Sequence, residues 1–444
     1  MSENLNIITS LIENAKKKGA TAADAICFIS TSTSVATRLN KLENVERSES
    51  RGFGLRVLIG KKQAIVSSTD TGPETLEELA TRAVNMAQLA PEDKYIGLAE
   101  ESMLSKTVME LDLFDGLEPS TDELLARALK AEAVALSGKG ITNSEGADAS
   151  YGQNNIAIAT SNGFAAEYKT SMSSISVSVL AGEGANMERD YDFSSTRFAS
   201  DLESAEKIGV TAAEKALKRL NPRRVKTCSV PVIFDPRVAK SLIGAVSSAV
   251  NGASVARGST FLKDSMGKSI FQNGINIIND PHIKRGLGSK PYDAEGVANR
   301  KMSLVEDGVL QNWLLDIRSA NQLGLITNGC ASRGLASPPS PSCSNLYMEN
   351  GVESPESLIK NIKSGFYVTE TFGMGVNLIT GDYSQGASGF WIENGEILYP
   401  VNELTIAGSL SEMFLSLTPA NDLEFRYSTN SPTLLIEKMT VAGE

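Results

Sequence analysis

Residues 154–170, NNIAIATSNGFAAEYKT, contain two strand-like runs joined around Asn162 and Gly163. Asn-Gly is a favoured two-residue turn between antiparallel strands, so this stretch predicts a β-hairpin. The next run, SSISVSVLAG at 173–182, alternates apolar and polar residues with the period of a strand that has one buried face. Antiparallel strands therefore follow one another directly in this part of the chain.

Helices are predicted on both sides of these strands. Ser120 and Glu123 have the spacing of a capping box, and the apolar residues after them recur at helical spacing. Ser200 and Glu203 have the same spacing and predict a second helix that runs to about Leu220. A helix, antiparallel strands and another helix indicate an α+β unit.

The first 90 residues show the same order of elements. Apolar residues at helical spacing predict a helix over 4–18, short alternating runs over 25–68 predict hairpin-connected strands, and Pro73 marks the start of a second helix. The GFG at 52–54 lacks the third glycine of a dinucleotide-binding fingerprint, and we expect it to form a bend at the start of a strand.

The last half of the chain differs in composition. After residue 226 lie 22 of the 37 glycines, a density of chain breakers that favours short strands and turns over long helices. With a weakly periodic linker over 91–119 and the basic NPRRVK at 221–226, we predict domains at 1–115, 116–225 and 226–444. The predicted fold class is α+β, with N-terminal helix and antiparallel-sheet units followed by a larger β-rich C-terminal domain.

Charge, cysteine and histidine content exclude several classes of function. The formal net charge of −11 gives no electrostatic attraction to nucleic acid, so we expect no direct nucleic-acid partner. The four cysteines form no CxxC pair and the N-terminus has no signal-peptide or membrane-spanning pattern, so we expect a cytoplasmic protein with no membrane partner. The single histidine, His282, excludes any site that needs two imidazoles from this chain.

Two places could carry chemistry. His282 could act as a general base near neutral pH, although a lone histidine between a proline and basic residues is more often a turn or surface residue. The segment GDYSQGASGFWIENGEI at 381–397 concentrates small residues, hydroxyls and aromatics, which suits either a packed glycine-rich strand pair or contact with a bound peptide strand. Ser384 and Ser388 have no base adjacent in sequence, so the segment does not indicate a nucleophile.

Five blocks of sequence beyond residue 250 resemble a known family. The blocks are VARGSTFLKDSMGKSIF (255–271), DPHIKRGLGSKPYDAEGVANR (280–300), GMGVNLITGDYSQGASGFWIENGEILYP (373–400), ELTIAGSL (403–410) and MTVAGE (439–444). They are similar to the TldD/TldE family, also called PmbA or modulator of DNA gyrase, and most closely to its TldE (PmbA) branch. The first 220 residues match more loosely, through KKGATAADA and RGFGLRVLIG.

The resemblance implies a cytoplasmic peptidase assembly in which a TldD chain holds zinc on a helix with a His-Glu-x-x-x-His run, and a TldE chain lacks that run. In this sequence SVPVIF at 229–234 and the Asp235-Pro236 pair predict a strand that leads into a helix, RVAKSLIGAVSSAVNG, with no His, Glu or Cys. We therefore carry over no metal ligand to this chain, and the resemblance implies that zinc belongs to the partner subunit.

The function that the resemblance implies is a non-catalytic TldE/PmbA-type subunit of a zinc metallopeptidase that trims or degrades unfolded peptides. Its expected partners are a TldD-like catalytic subunit and a peptide or unfolded protein substrate, and a homodimer is left open as an assembly of the chain when it is alone. Asp382, Tyr383, Ser384 and Ser388 are the candidate peptide or partner contacts, and Arg257 is a candidate for an interface or a substrate carboxylate.

Two other classes of function stay open at this point. A stand-alone hydrolase would use His282 or paired carboxylates as its acid and base. A regulator of DNA gyrase, which the older family name suggests, would act directly on gyrase or on DNA, and the acidic charge balance argues against the DNA contact.

Overall fold

Six long strands in the first half of the chain form one sheet. The computed structural model describes residues 2–373 and 375–444. The strands and the helices of this region are α1 (Glu3–Lys17), β1 (Ala22–Arg38), β2 (Lys41–Ile59), β3 (Lys62–Ser68), α2 (Pro73–Leu89), α3 (Thr121–Leu136), β4 (Ile141–Thr160), β5 (Ala165–Ala181), β6 (Glu188–Thr196) and α4 (Ala205–Lys218), with short 3-10 turns at Glu101–Met103, Gly184–Asn186 and Ala199–Asp201. The order in the sheet is β3-β2-β1-β4-β5-β6, and every neighbouring pair is antiparallel.

The two predicted N-terminal units share this sheet, because β1 pairs with β2 on one side and with β4 on the other. The helices cover one face of it. Ala25 and Cys27 of β1 pack with α1 and α2, and Val35, on the same face because strand side chains alternate, packs with α3 and α4. The α+β class is confirmed, whereas the boundaries at 115/116 and 225/226 stay a prediction.

The opposite face of β1 meets the second half of the chain. Ile26 is buried there in a cluster with Tyr292, and Leu335 packs at its margin. Leu335 belongs to the loop over 328–345, whose two short strands are Ala331–Ser332 and Ser340–Pro341. The sheet is therefore covered by helices on one face and in part by the C-terminal region on the other.

Two local expectations need correction. The GFG glycines do not bend a strand start but lie in the middle of β2, where a Cβ on Gly54 would overlap the backbone oxygen of Leu335. Glycine is needed at this position because the loop backbone approaches the strand closely. The predicted two-residue turn at Asn162 and Gly163 is a four-residue connection over 161–164, in which the Thr160 N–H donates to the Phe164 oxygen at 2.8 Å.

The helix-start signals were right at Ser120 and wrong at Ser200. Ser120 and Glu123 form the capping box that begins α3. The next helix, α4, begins four residues later than predicted, because Ser204 is its N-cap and accepts from the Lys207 N–H at 3.1 Å. The predicted capping residue Glu203 has a carboxylate within 3.4 Å of the Arg426 guanidinium, a contact that no local pattern indicates.

The second half of the chain is built mainly from short strands. Its elements are β7 (Cys228–Phe234), α5 (Pro236–Ala249), α6 (Gly252–Ala256), β8 (Ile277–Asp280), β9 (Met302–Glu306), β10 (Val309–Leu310), α7 (Ile317–Leu323), β11 (Ala331–Ser332), β12 (Ser340–Pro341), β13 (Asn345–Met348), α8 (Pro355–Lys360), β14 (Ser364–Phe372), β15 (Val376–Asn377), β16 (Asp382–Glu393), β17 (Glu396–Ser409), α9 (Leu410–Leu415), β18 (Leu417–Pro419), β19 (Thr429–Asn430) and β20 (Leu434–Ala442). The predicted β-rich C-terminal region is confirmed.

Five of these strands close into a ring. The pairings run β14-β7-β20-β17-β16 and return from β16 to β14, with the β7–β14 pair parallel and the others antiparallel. A second sheet has the order β10-β9-β8-β13-β19. Phe234 of β7, Leu242 of α5 and Leu346 of β13 belong to one buried cluster, so a shared core joins the ring, helix α5 and the second sheet.

The helices of residues 2–373 and 375–444 include none that is both long enough and apolar enough to cross a lipid bilayer.

Candidate functional site

Helix α5 begins directly after ring strand β7, as the sequence predicts. The Asp235 side chain caps the helix by accepting from the Arg237 N–H at 3.0 Å, and Pro236 occupies the first helical position, where its missing N–H costs nothing. Seven side chains of the helix are buried: Val238, Ala239, Leu242, Ile243, Ala245, Val246 and Ala249. The helix is therefore held by apolar contacts along one face.

The residues of α5 do not fit a zinc ion. Zinc in proteins is held by cysteine, histidine and carboxylate side chains, and α5 contains none of these. At Gly244, in the middle of the helix, no atom outside the neighbouring helix backbone lies within 4 Å of where a Cβ would stand. The position therefore has room for a side chain, but glycine supplies no metal-binding group. In the described ranges 2–373 and 375–444, no three His, Cys, Asp or Glu side chains form a group that could hold a metal ion.

His282 and Cys330 have structural surroundings. The His282 ring is half-buried, and its Nε2 lies 2.7 Å from the Asn299 side-chain oxygen. An amide partner orients the ring but supplies neither a nucleophile nor a carboxylate. Burial raises the pKa of the Cys330 thiol to about 12, so the thiol stays protonated near neutral pH.

The glycine-rich segment forms strand β16, in which some polar residues are exposed and others are buried. Asp382 and Ser384 are exposed at the start of the strand. The Asp382 carboxylate accepts from the Thr380 hydroxyl at 2.6 Å, and the Ser384 N–H donates to the Gly375 oxygen at 2.7 Å. Both side chains remain available for contacts with another molecule.

Tyr383 points the other way and belongs to the core. Its side chain is 2% exposed, and its ring packs edge-on against Phe234 with centroids 6.4 Å apart. Burial also raises the pKa of its hydroxyl above the usual value. The structure therefore gives Tyr383 a packing role, and a direct contact with a peptide is not available to this side chain.

Arg257 lies at the end of α6 and is exposed. The segment after it runs beside the β15–β16 hairpin, because the Phe261 N–H donates to the Leu378 oxygen at 2.8 Å. The Phe261 ring also faces Gly381 at the start of the predicted contact segment. The fold thus brings the Arg257 segment next to the hairpin that carries Asp382 and Ser384.

Ser388 is buried in a network of charged side chains between α4 and the ring. Its side chain is 4% exposed, and its hydroxyl accepts from Arg219 Nη2 at 2.6 Å. Arg219, the residue after α4, also lies 2.7 Å from Glu370 and 3.2 Å from Asp190. Ser388 therefore helps to join the N-terminal sheet region to the C-terminal ring and offers no surface to a peptide.

A second arginine completes this network. Arg237 at the start of α5 donates two hydrogen bonds to Asp190 of β6, at 2.7 and 3.0 Å. Burial alone would raise the pKa of Asp190, but the hydrogen bonds and charge of Arg237 outweigh it and hold that pKa below its usual value. Sequence reasoning missed these residues, and the only local signal was the alternation of acidic and aromatic residues in Asp190–Phe193.

Three family models match the chain over nearly its whole length. They are described as PmbA/TldA metallopeptidase domain 1, central domain and C-terminal domain, and they match residues 23–87, 114–220 and 227–443.

Individual relatives agree with these matches. The metalloprotease PmbA of Escherichia coli O157:H7 is 37% identical over 98% of this chain and 95% of its own length. A crystal structure from Bacteroides thetaiotaomicron, described as a modulator of DNA gyrase, has a TM-score of 0.92 at 26% identity and covers all of both chains. TldE from Thermococcus kodakarensis shares the fold, with a TM-score of 0.87 at 22% identity over 98% of this chain and all of that one. The chain therefore belongs to the PmbA/TldD family of metallopeptidases.

Proposed function

We propose that this chain is a non-catalytic PmbA/TldE-type subunit of a zinc metallopeptidase that trims or degrades unfolded peptides. The observation that carries the proposal is the composition of helix α5, the helix that the family resemblance associates with zinc in TldD chains. It has no side chain that binds zinc, and a zinc-bound water requires about three protein ligands. In this proposal a TldD-like chain supplies the zinc and the reaction occurs in the cytoplasm.

The role proposed for this chain is to complete the assembly and to hold the peptide. Arg257, Asp382 and Ser384 are exposed on neighbouring segments. The positive charge of Arg257 and the negative charge of Asp382 could contact polar groups of a bound peptide. Strand β15 ends its sheet and pairs with β16 within the described part of the chain. An extended peptide could add to such an edge through backbone hydrogen bonds, which demand little of the peptide sequence.

The test is peptide cleavage by three preparations. Internally quenched unstructured peptides are incubated with this chain alone, with the TldD-like protein of the same organism alone, and with an equimolar mixture, each with zinc and again with a chelator. We expect cleavage in the mixture only, lost with the chelator and restored by zinc. Chelator-sensitive cleavage by this chain alone would contradict the proposal.

A pair of variants then tests the contact residues. Asp382→Asn removes an exposed charge from the proposed peptide contact, whereas Glu78→Gln removes an exposed charge from α2, far along the chain. In the mixture we expect Asp382→Asn to raise KM and Glu78→Gln to leave it unchanged. Equal KM values for both variants would remove Asp382 from the contact surface while leaving the subunit assignment intact.

A further inference from the structure

A cavity with two unlike walls lies between α4 and the hairpin of β16 and β17. Its volume is about 580 Å³, within the range of small-ligand sites. One wall is apolar and is formed by Phe390, Ile397, Leu398 and Pro400. Ile397 and Leu398 are 44% and 50% exposed, which leaves large apolar surface open at the mouth of the cavity.

The other wall carries positive charge from α4. Lys215 lies 2.9 Å from the Asp192 carboxylate and is thereby paired. Lys218 also lines the cavity, and no carboxylate of the described residues lies within 4.0 Å of its ammonium group. Lys218 is therefore the cation of this wall that has charge to offer to a ligand.

The carboxylates that line the cavity are already engaged. Asp190 accepts two hydrogen bonds from Arg237, at 2.7 and 3.0 Å. Asp235 accepts from the Arg237 N–H at 3.0 Å and from the Tyr367 hydroxyl at 3.0 Å. Asp235 keeps its negative charge in these contacts, but two carboxylates and three cationic side chains line the cavity, so the lining carries a formal charge of +1 and favours an anion.

We propose that this cavity binds the carboxyl end of a peptide whose last residue is apolar. Only the last residue of a peptide carries a side chain and a free carboxylate on the same Cα, which matches one apolar wall and one unpaired lysine. Lys218 would receive the carboxylate, and Ile397 and Leu398 would cover the side chain. The inference rests on the proposed function, because a peptide is the substrate there, and it adds a preference for free, apolar carboxyl ends.

Binding to the full chain alone tests the site without the partner. The probe is an N-terminally fluorescein-labelled hexapeptide that ends in leucine with a free carboxylate, followed by fluorescence anisotropy. Two competitors distinguish the recognised feature: the same peptide as its C-terminal amide, and a peptide that ends in serine. N-acetyl-leucine as a third competitor distinguishes a peptide end from any small apolar carboxylate. We expect the amide and the serine peptide to compete about tenfold more weakly than the free leucine peptide, because each lacks one charged or apolar contact. N-acetyl-leucine should compete more weakly still.

Three variants locate the binding. Lys218→Glu should weaken binding by about tenfold or more, the range for losing a hydrogen bond to a charged group. Leu398→Ser should weaken binding of the leucine peptide more than binding of the serine peptide. Lys139→Glu makes the same charge change at an exposed lysine outside the cavity and should have no effect.

Equal affinity for the acid and the amide, an unaffected Lys218→Glu variant, or no binding at all would each overturn the inference. An N-acetyl-leucine affinity equal to that of the peptide would overturn the peptide assignment. These outcomes are separable from failure of the proposed function. If the mixture cleaves peptides regardless of their carboxyl end, the subunit assignment stands and the cavity assignment falls.

Discussion

Asp24 holds two arginines that come from distant parts of the chain. The carboxylate lies in β1 and accepts from Arg56 Nε of β2 at 2.7 Å and from Arg333 Nη1 of the loop over 328–345. All three side chains are buried. Burial alone would raise the pKa of Asp24, but the charges and hydrogen bonds of the two arginines outweigh it and hold the pKa below the usual 3.8.

Asp24→Asn keeps the shape of the side chain and removes its charge, so two buried guanidinium groups lose the carboxylate with which both form ion pairs. Breaking one buried ion pair costs about 3–5 kcal/mol, and one carboxylate serves two arginines here, so we expect a loss at the upper end, about 5 kcal/mol. Natural proteins have unfolding free energies of about 5–15 kcal/mol, so the loss is a large fraction of the total. The assay is urea denaturation at pH 7 followed by far-ultraviolet circular dichroism.

Asp112→Asn is the matched control. Asp112 lies 2.6 Å from Arg285, but both side chains are well exposed, so the expected loss is about 1 kcal/mol or less. The pKa of Asp24 is lower in the folded than in the unfolded state. The contribution of Asp24 to the free energy of unfolding is therefore complete above the unfolded pKa and is lost as the pH falls through the folded pKa. The difference between the wild type and Asp24→Asn should therefore shrink below a pH of about 3.8. Equal losses for both variants at pH 7 would refute the reasoning.

Two further predictions concern backbone positions, with urea denaturation as the measurement for both. Gly54→Ala should lower the free energy of unfolding by about 2–3 kcal/mol, because the new Cβ would overlap the Leu335 backbone oxygen. Gly97→Ala is the control and should be neutral, because a Cβ there would meet no atom within 4 Å. Equal effects would disprove the close approach of loop and strand. Ser204→Ala should lower the free energy of unfolding by about 1 kcal/mol, because it removes the N-cap of α4, and Ser200→Ala should change it by no more than about 0.5 kcal/mol. A larger loss for Ser200→Ala than for Ser204→Ala would show that Ser200 is the cap.

Local signals predicted much of this fold because a few neighbouring residues determine them. The cap at Ser120 and the Asp235-Pro236 start of α5 depend on contacts within three residues, so the sequence displays them. The pattern at Ser200 has the same letters, but the Glu203 carboxylate lies 2.5 Å from Lys207 and 3.4 Å from Arg426 instead of returning to Ser200. The start of α4 is set by the local cap at Ser204, so the sequence offered two competing cap signals and the one at Ser200 was chosen wrongly.

The candidate site was predicted less completely. Asp382 and Ser384 are exposed, as a contact role requires. Ser388 lies four residues further along β16, and its hydroxyl accepts from Arg219 inside the fold. Exposure depends on which element covers a strand, and α4 comes from a separate part of the chain. The cavity beside Lys218 was not predictable either, since its two walls are assembled from segments about 180 residues apart.

The zinc content of the purified chain tests the central claim most directly. The chain and the TldD-like protein of the same organism are each incubated with zinc, freed of unbound metal by gel filtration, and analysed by atomic absorption. The account predicts far less than one zinc per molecule for this chain and about one for the TldD-like protein. One tightly held zinc per molecule of this chain would show that a metal site exists outside helix α5, and the non-catalytic assignment would be abandoned.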